Sequence, residues 1–214
     1  MWRRRSVSSI ILIFLLAALP GSGTAKEKKE KPYRIAGVVK GEKGKPAPAD
    51  SLSSDSSGVR AVIQYLDDPS RRAALASVLG REVDLFPERT GSSRGYMAFA
   101  LEIENRGSGD LNFEPGHTLL ATDRQDVEFP LDYSALYQMV SRSGAAAPSL
   151  EEIERAVYGR AVTIRPGGAV RKLLVFEGPR NGKFKKFEVK VRSLHVPSGD
   201  LDNTFLFRKF EVKP

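Results

Sequence analysis

From residue 96 onward, apolar and polar side chains take turns along the chain. In YMAFALEIEN (96–105), Met97, Phe99, Leu101 and Ile103 alternate with Tyr96, Ala98, Ala100, Glu102 and Glu104. That two-residue period predicts a strand with one buried face and one partly wet face. In FKKFEVKVRSL (184–194), Phe187, Val189 and Val191 alternate with Lys186, Glu188, Lys190 and Arg192, the pattern of an outer strand. Phe184 falls off this parity, which predicts a bulge or a strand start at Lys185. Leu173-Leu-Val-Phe176 is apolar on both sides and predicts a central strand. Shorter strands are predicted over 111–114, 118–122, 127–131, 160–165 and 204–213, separated by Asn-Arg-Gly, Pro-Gly and Asx-rich turns. Many short strands without a βαβ rhythm predict a mainly β fold, an antiparallel β-sandwich over 96–214.

Helical spacing occurs in two places. In 59–95, a helical segment and linker, Asp68 reads as an N-cap, Pro69 as the first helical residue and Gly80 as the left-handed stop, with Leu75, Val78 and Leu79 on one face. This is the one helix ahead of the sandwich. Within the sandwich, Tyr133, Leu136, Tyr137 and Val140 recur at helical spacing, and Ser149-Leu-Glu-Glu152 forms a capping box before Ile153 and Val157. These predict a small helical insertion at 133–159 that caps one end of the sandwich.

The first 58 residues have other patterns. Arg3, Arg4 and Arg5 precede an unbroken apolar run over 10–19, which spans only ~15 Å as a helix, about half of a ~30 Å hydrocarbon core. Pro20 and the small residues Gly23 and Ala25 follow. This is the three-part form of a secretory signal peptide over 1–25, cleaved after Ala25, with an uncleaved membrane anchor as the alternative. Residues 26–58 are dominated by Lys, Glu, Pro, Ser and Gly and predict a disordered tether with at most a short strand at 33–39.

Composition narrows the chemistry. The chain has 214 residues and no cysteine, which excludes disulfides and thiolate metal sites. Export without cysteine points to a bacterial periplasmic or secreted protein of the cell envelope. The net charge of +8 falls to +5 once the three arginines of the signal segment are removed, a mild excess compatible with anionic polymers or lipid head groups.

That excess is concentrated. Between Arg160 and Arg192 stand ten Lys or Arg against two acids, Glu177 and Glu188. Lys183, Lys185, Lys186, Lys190 and Arg192 form a candidate anion-facing strip, set against the alternative that lysines on an edge strand guard against sheet-to-sheet aggregation. The aromatic residues of this region lie on the core parity and do not interleave with the charges, which argues against nucleic acid. Tyr133, Tyr137 and Tyr158 in the helical insertion form a second candidate, a contact patch for an envelope protein.

FALEIENRGSGDLNF followed by IRPGGAVRKLLVFEGP resembles the immunoglobulin-like domains of unknown function found in exported bacterial proteins. The residues carrying the resemblance are Asn105, Gly107, Pro166, Gly167, Phe176, Glu177 and Pro179, within a region running from 96 to 212. The resemblance implies an immunoglobulin-like sandwich and carries no active site.

Other motifs have plainer explanations. Gly91-Ser-Ser-Arg-Gly95 matches the nucleophile-elbow pattern of hydrolases, but it precedes a strand where that motif needs a helix. His117 and His195 lack metal-ligand spacing, and Asp200, Asp202 and Asn203 lack the remaining ligands of a calcium loop. No cofactor is predicted. The reading is a non-enzymatic interaction or accessory module that binds protein, with anion binding through the basic strand face as the first alternative and an uncharacterised hydrolase as the second.

Overall fold

The computed structural model describes residues 33–41, 44–83, 85–86, 95–142, 148–180 and 183–212. The signal segment and the serine motif at 91–94 lie outside them. Twelve strands form two antiparallel sheets. In the larger, β2 (Pro46–Ala49), β1 (Tyr33–Lys40), β12 (Gly199–Glu211) and β11 (Lys186–Val196) lie side by side. Beyond β11 the sheet forks, with β6 (Leu111–Phe113) and β9 (Val162–Ile164) on one limb and β7 (Leu119–Thr122) and β8 (Val127–Glu128) on the other. The smaller sheet runs β10 (Ala169–Glu177), β5 (Tyr96–Asn105), β4 (Val59–Leu66) and β3 (Leu52–Ser56).

The two sheets share one core. The alternating residues of β5 and β11 meet there as predicted, and Phe99 lies at its centre. Its ring makes edge contacts with Tyr65, Phe176, Phe187 and Phe207 at 5.2–5.9 Å between centroids. Phe187 and Phe207, on adjacent strands, stack at 5.3 Å.

The segment 26–58 is not a tether throughout. The strand expected at 33–39 is present as β1, but β2 and β3 also join the sheets. The Pro- and Ser-rich composition that suggested disorder suits their positions at sheet edges, where proline removes no needed donor and discourages further pairing. Leu52 packs so close to Gly37 that a Cβ there would lie 2.6 Å from its Cγ. The Ser54 hydroxyl donates to Asn203 Oδ1 at 2.6 Å. β3 returns into β4 through Ser57 and Gly58, both at positive φ, as a two-residue hairpin turn requires.

The helices form a third layer on the outer face of the smaller sheet, not a cap on one end. α1 (Asp68–Leu79), α2 (Tyr133–Arg142) and α3 (Leu150–Ala156) cover Leu66, Ala98, Ala100, Leu173 and Val175. Ala98 and Ala100 are the positions on β5 expected to be partly wet. Their small side chains let helices approach the strand, so β5 is buried on both faces. Double burial also explains Leu173 to Phe176, although β10 is the outermost strand of its sheet. Single bridges from Pro130 to Phe176 and from Val157 to Leu173 cover its free edge.

Helix caps follow the sequence with one shift. The N-cap of α1 is Asp67, one residue before the expected Asp68, and its Oδ1 accepts from the Ser70 amide at 3.0 Å. Asp68 instead pairs with Arg71 and Arg72. The buried stripe of α1 is Arg71, Leu75 and Leu79, while Val78 is exposed. The capping box of α3 forms as predicted, with Glu152 N donating to Ser149 Oγ and Ser149 N donating to Glu152 Oε2. Among the described residues no helix is long and apolar enough to cross a membrane.

Candidate functional site: the basic end of the larger sheet

The basic strand β11 is not an edge. It pairs with β12 along one side and with β7 and β6 along the other, so its lysines do not act as edge guards. Its outer face carries Lys186, Glu188, Lys190 and Arg192 toward solvent. A bulge sets how that face meets β12: Val191 pairs with Asn203, but the next pair is Leu194 with Leu201. The extra residue includes Ser193, at φ 54°, and its amide donates to Asp202 Oδ1 at 3.0 Å. The one-residue offset sets Phe187 against Phe207 in the core and Lys186 against Arg208 outside.

Other cations gather at the same end. Lys209 donates its amide to Lys185 O at 3.0 Å, and its ammonium lies 4.2 Å from the ring centroids of both Tyr33 and Phe184. Arg208 lies 6.0 Å from the Phe210 ring, and Arg34 of β1 stands opposite Phe210. Arg124 is exposed in the turn from β7 to β8. The preceding residue, Asp123, accepts from the Lys185 amide at 3.1 Å. Arg34, Arg124, Lys185, Lys186, Arg208 and Lys209 thus come to one end of the larger sheet from four stretches of chain.

The predicted strip is divided by this arrangement. Lys183, Lys185 and Lys186 lie at the basic end. Lys190 lies four residues along β11 and pairs with Glu188 at 3.2 Å. Arg192 lies six residues from Lys186, about 20 Å away at ~3.3 Å per residue. Cations earlier in the rich segment are engaged elsewhere: Arg160 with Glu154 at 2.9 Å, Arg171 with Glu102 at 4.0 Å, and Lys172 with the Glu154 carbonyl at 2.5 Å. Burial holds the Lys172 ammonium below the usual lysine range.

The tyrosines do not form one patch. Tyr158 is fully buried in the core between the sheets; its hydroxyl donates to Val170 O at 2.9 Å, with Leu101 O at 3.3 Å. Burial pushes its phenol well above the usual tyrosine range. Tyr133 lies beneath the Arg160 guanidinium, 3.5 Å from its ring centroid. Tyr137 alone of the three is well exposed, at 56%.

The remaining polar candidates have local partners. His195 meets Asp200 at 2.5 Å across the β11–β12 hairpin, not a serine, and both are exposed. Asp202 serves the bulge, and Asn203 accepts from Ser54. These three acceptors lie within β12, not in a turn, and each faces a protein donor or the imidazole. Among the described residues no three His, Asp or Glu side chains cluster as metal ligands.

Arg34, Arg208 and Lys209 belong to this end but not to the predicted strip. The two-residue connection at Pro197-Ser198 signals that 184–194 and 204–213 are neighbours. The bulge, which decides which residues face each other, leaves no comparable sequence mark.

No protein-family profile matches the chain, and no curated protein matches it. Six chains of solved structures match in part, two of them as follows. The YjhA protein of Bacillus subtilis is 11% identical with a TM-score of 0.41, over 72% of this chain and 93% of that one. The structural-genomics target SoR45 is also 11% identical with a TM-score of 0.34, over 73% of this chain and 87% of that one.

Proposed function

We propose that this protein is a non-enzymatic interaction module of the bacterial cell envelope, built on an immunoglobulin-like sandwich, that engages an anionic partner through the basic end of its larger sheet. The observation that carries this reading is Lys186 standing directly opposite Arg208 on the solvent face of two paired strands. Like charges in that relation destabilise a sheet by repulsion. An anion laid across both removes the repulsion. The envelope location rests on the sequence: the arginine-led apolar segment, the small residues before Lys26 and the absence of cysteine. The protein-contact version through the helical insertion has less support, because Tyr158 is in the core and Tyr133 is stacked under an arginine.

The test uses poly-L-glutamate as a generic polyanion. Binding should weaken steeply with salt, because the screening length falls from about 10 Å at 0.1 M to about 3 Å at 1 M. It should be lost in the Lys185→Glu/Lys186→Glu variant. Unchanged affinity in that variant eliminates the reading.

A further inference from the structure

A polar cleft adjoins the basic end. It forms where strands overhang their partners. β3 pairs with β4 only as far as Leu52 opposite Ile63, so Gln64 to Leu66 run past its end. β2 meets β1 only from Gly37 onward, so Tyr33 to Ile35 also run past. The start of α1 bounds the gap between these overhangs. The resulting cavity of about 430 Å³ is lined by Tyr33, Arg34, Asp50, Gln64, Asp67 and Ser70, among others, and lies within the size range of small-ligand sites.

Its chemistry differs from that of the surface beside it. Asp50 and Asp67 present acceptors, Arg34 presents donors, and Gln64 and Ser70 present both. Arg34 and Asp50 approach each other at 3.8 Å, and both are solvent-exposed. One oxygen of Asp67 caps α1. Tyr33 is 46% exposed. Arg34 links the two regions, because it lines the cleft and stands opposite Phe210, on the face of β12 that carries Arg208. Two carboxylates disfavour a phosphate or an acidic peptide inside the cleft, and the polar lining offers little to an acyl chain. A neutral sugar ring suits such a lining: its C–H face would lie on a phenol, and its hydroxyls, each donor and acceptor, would meet Asp, Gln and Ser groups.

We infer that the anionic partner is an acidic polysaccharide, with a neutral sugar unit seated in the cleft beside Tyr33 and the acid groups of the chain held by Lys185, Lys186 and Arg208. This inference rests on the anion-binding reading above and assigns the partner's class. Mixed signs in the cleft and a surplus of cations beside it, where Asp123 and Glu211 are the nearby acids, match a chain whose neutral and acidic units alternate.

The test compares hyaluronate, in which neutral sugars alternate with uronic acids, with poly-L-glutamate of matched charge, using the full chain. Hyaluronate should bind about tenfold more tightly, and Tyr33→Ala/Gln64→Ala should remove that advantage while leaving polyglutamate binding within about twofold. Asp50→Ala, at an exposed side chain, serves as a second cleft variant if the first melts early. Equal affinity for the two polymers, or a hyaluronate advantage that survives both cleft variants, overturns the polysaccharide assignment but leaves the anion-binding reading in place. Failure of both polymers to bind, or binding untouched by Lys185→Glu/Lys186→Glu, overturns both.

Discussion

The amide of Ser193 donates to the carboxylate of Asp202 at 3.0 Å, pinning the single extra residue of β11 against β12. Because side chains alternate along a strand, this bulge decides which residues share a face. Ser193 sits at φ 54°, where a non-glycine residue costs about 1–2 kcal/mol and a β-branched one more. Ser193→Val should destabilise the fold by about 1–2 kcal/mol, and Ser193→Gly should be neutral or slightly stabilising. Urea denaturation measures both. Equal stability of the Val and Gly variants would contradict the assigned bulge.

Tyr158 and Tyr137 should respond oppositely to truncation. Tyr158→Phe leaves the Val170 carbonyl without its phenol donor and should cost about 1 kcal/mol; Tyr158→Ala should cost about 3–5 kcal/mol. Tyr137→Ala, at an exposed position, should stay within about 0.5 kcal/mol. Thermal melts of the three variants distinguish a core tyrosine from a surface one.

Much of the β architecture was legible. The alternation in 96–105 and 184–194 comes from burial of one face, which the two-residue period records directly. The capping box at Ser149 was readable because its residues are close in sequence. The helical layer was not, because Ala98 and Ala100 look the same under a helix as they do in water. β2 and β3 were hidden by a composition suited equally to disorder and to protected edges. The basic end was half legible: its lysines on β11 stand out, but Arg34, Arg208 and Lys209 join them only through strand pairing and a bulge. Tyr158 was misplaced because the helical period assigned to 150–157 ends at Val157, where the chain turns alongside β10.

The third layer makes its own prediction. Ala98→Leu, at a fully buried position, inserts three carbons between β5 and the helices and should destabilise by about 1–3 kcal/mol through overpacking. Hydrogen exchange should speed up in α1 and α3 more than in β11 and β12. Uniform loss of protection would contradict a separate helical layer over the smaller sheet.

Glu152 provides a pH test. Its carboxylate accepts from the Ser149 amide, and this bond holds its pKa below the usual glutamate range, against a smaller opposing effect of burial. A depressed folded-state pKa gives stability that is fully present above the unfolded value and is lost as pH falls through the folded one. NMR titration of the Glu152 carboxyl should show a midpoint below that of an unstructured glutamate, with α3 loosening as pH falls through that midpoint. A midpoint at or above the ordinary value would contradict the capping box.

The most direct measurement of the central claim is an NMR titration of the full chain with hyaluronate at low salt, following backbone amides. The account predicts the largest shifts at Tyr33, Arg34, Lys185, Lys186, Arg208 and Lys209, with the amides around Tyr137 and Arg192 little changed. Shifts centred on the helical layer, or no shifts at any site, would contradict it.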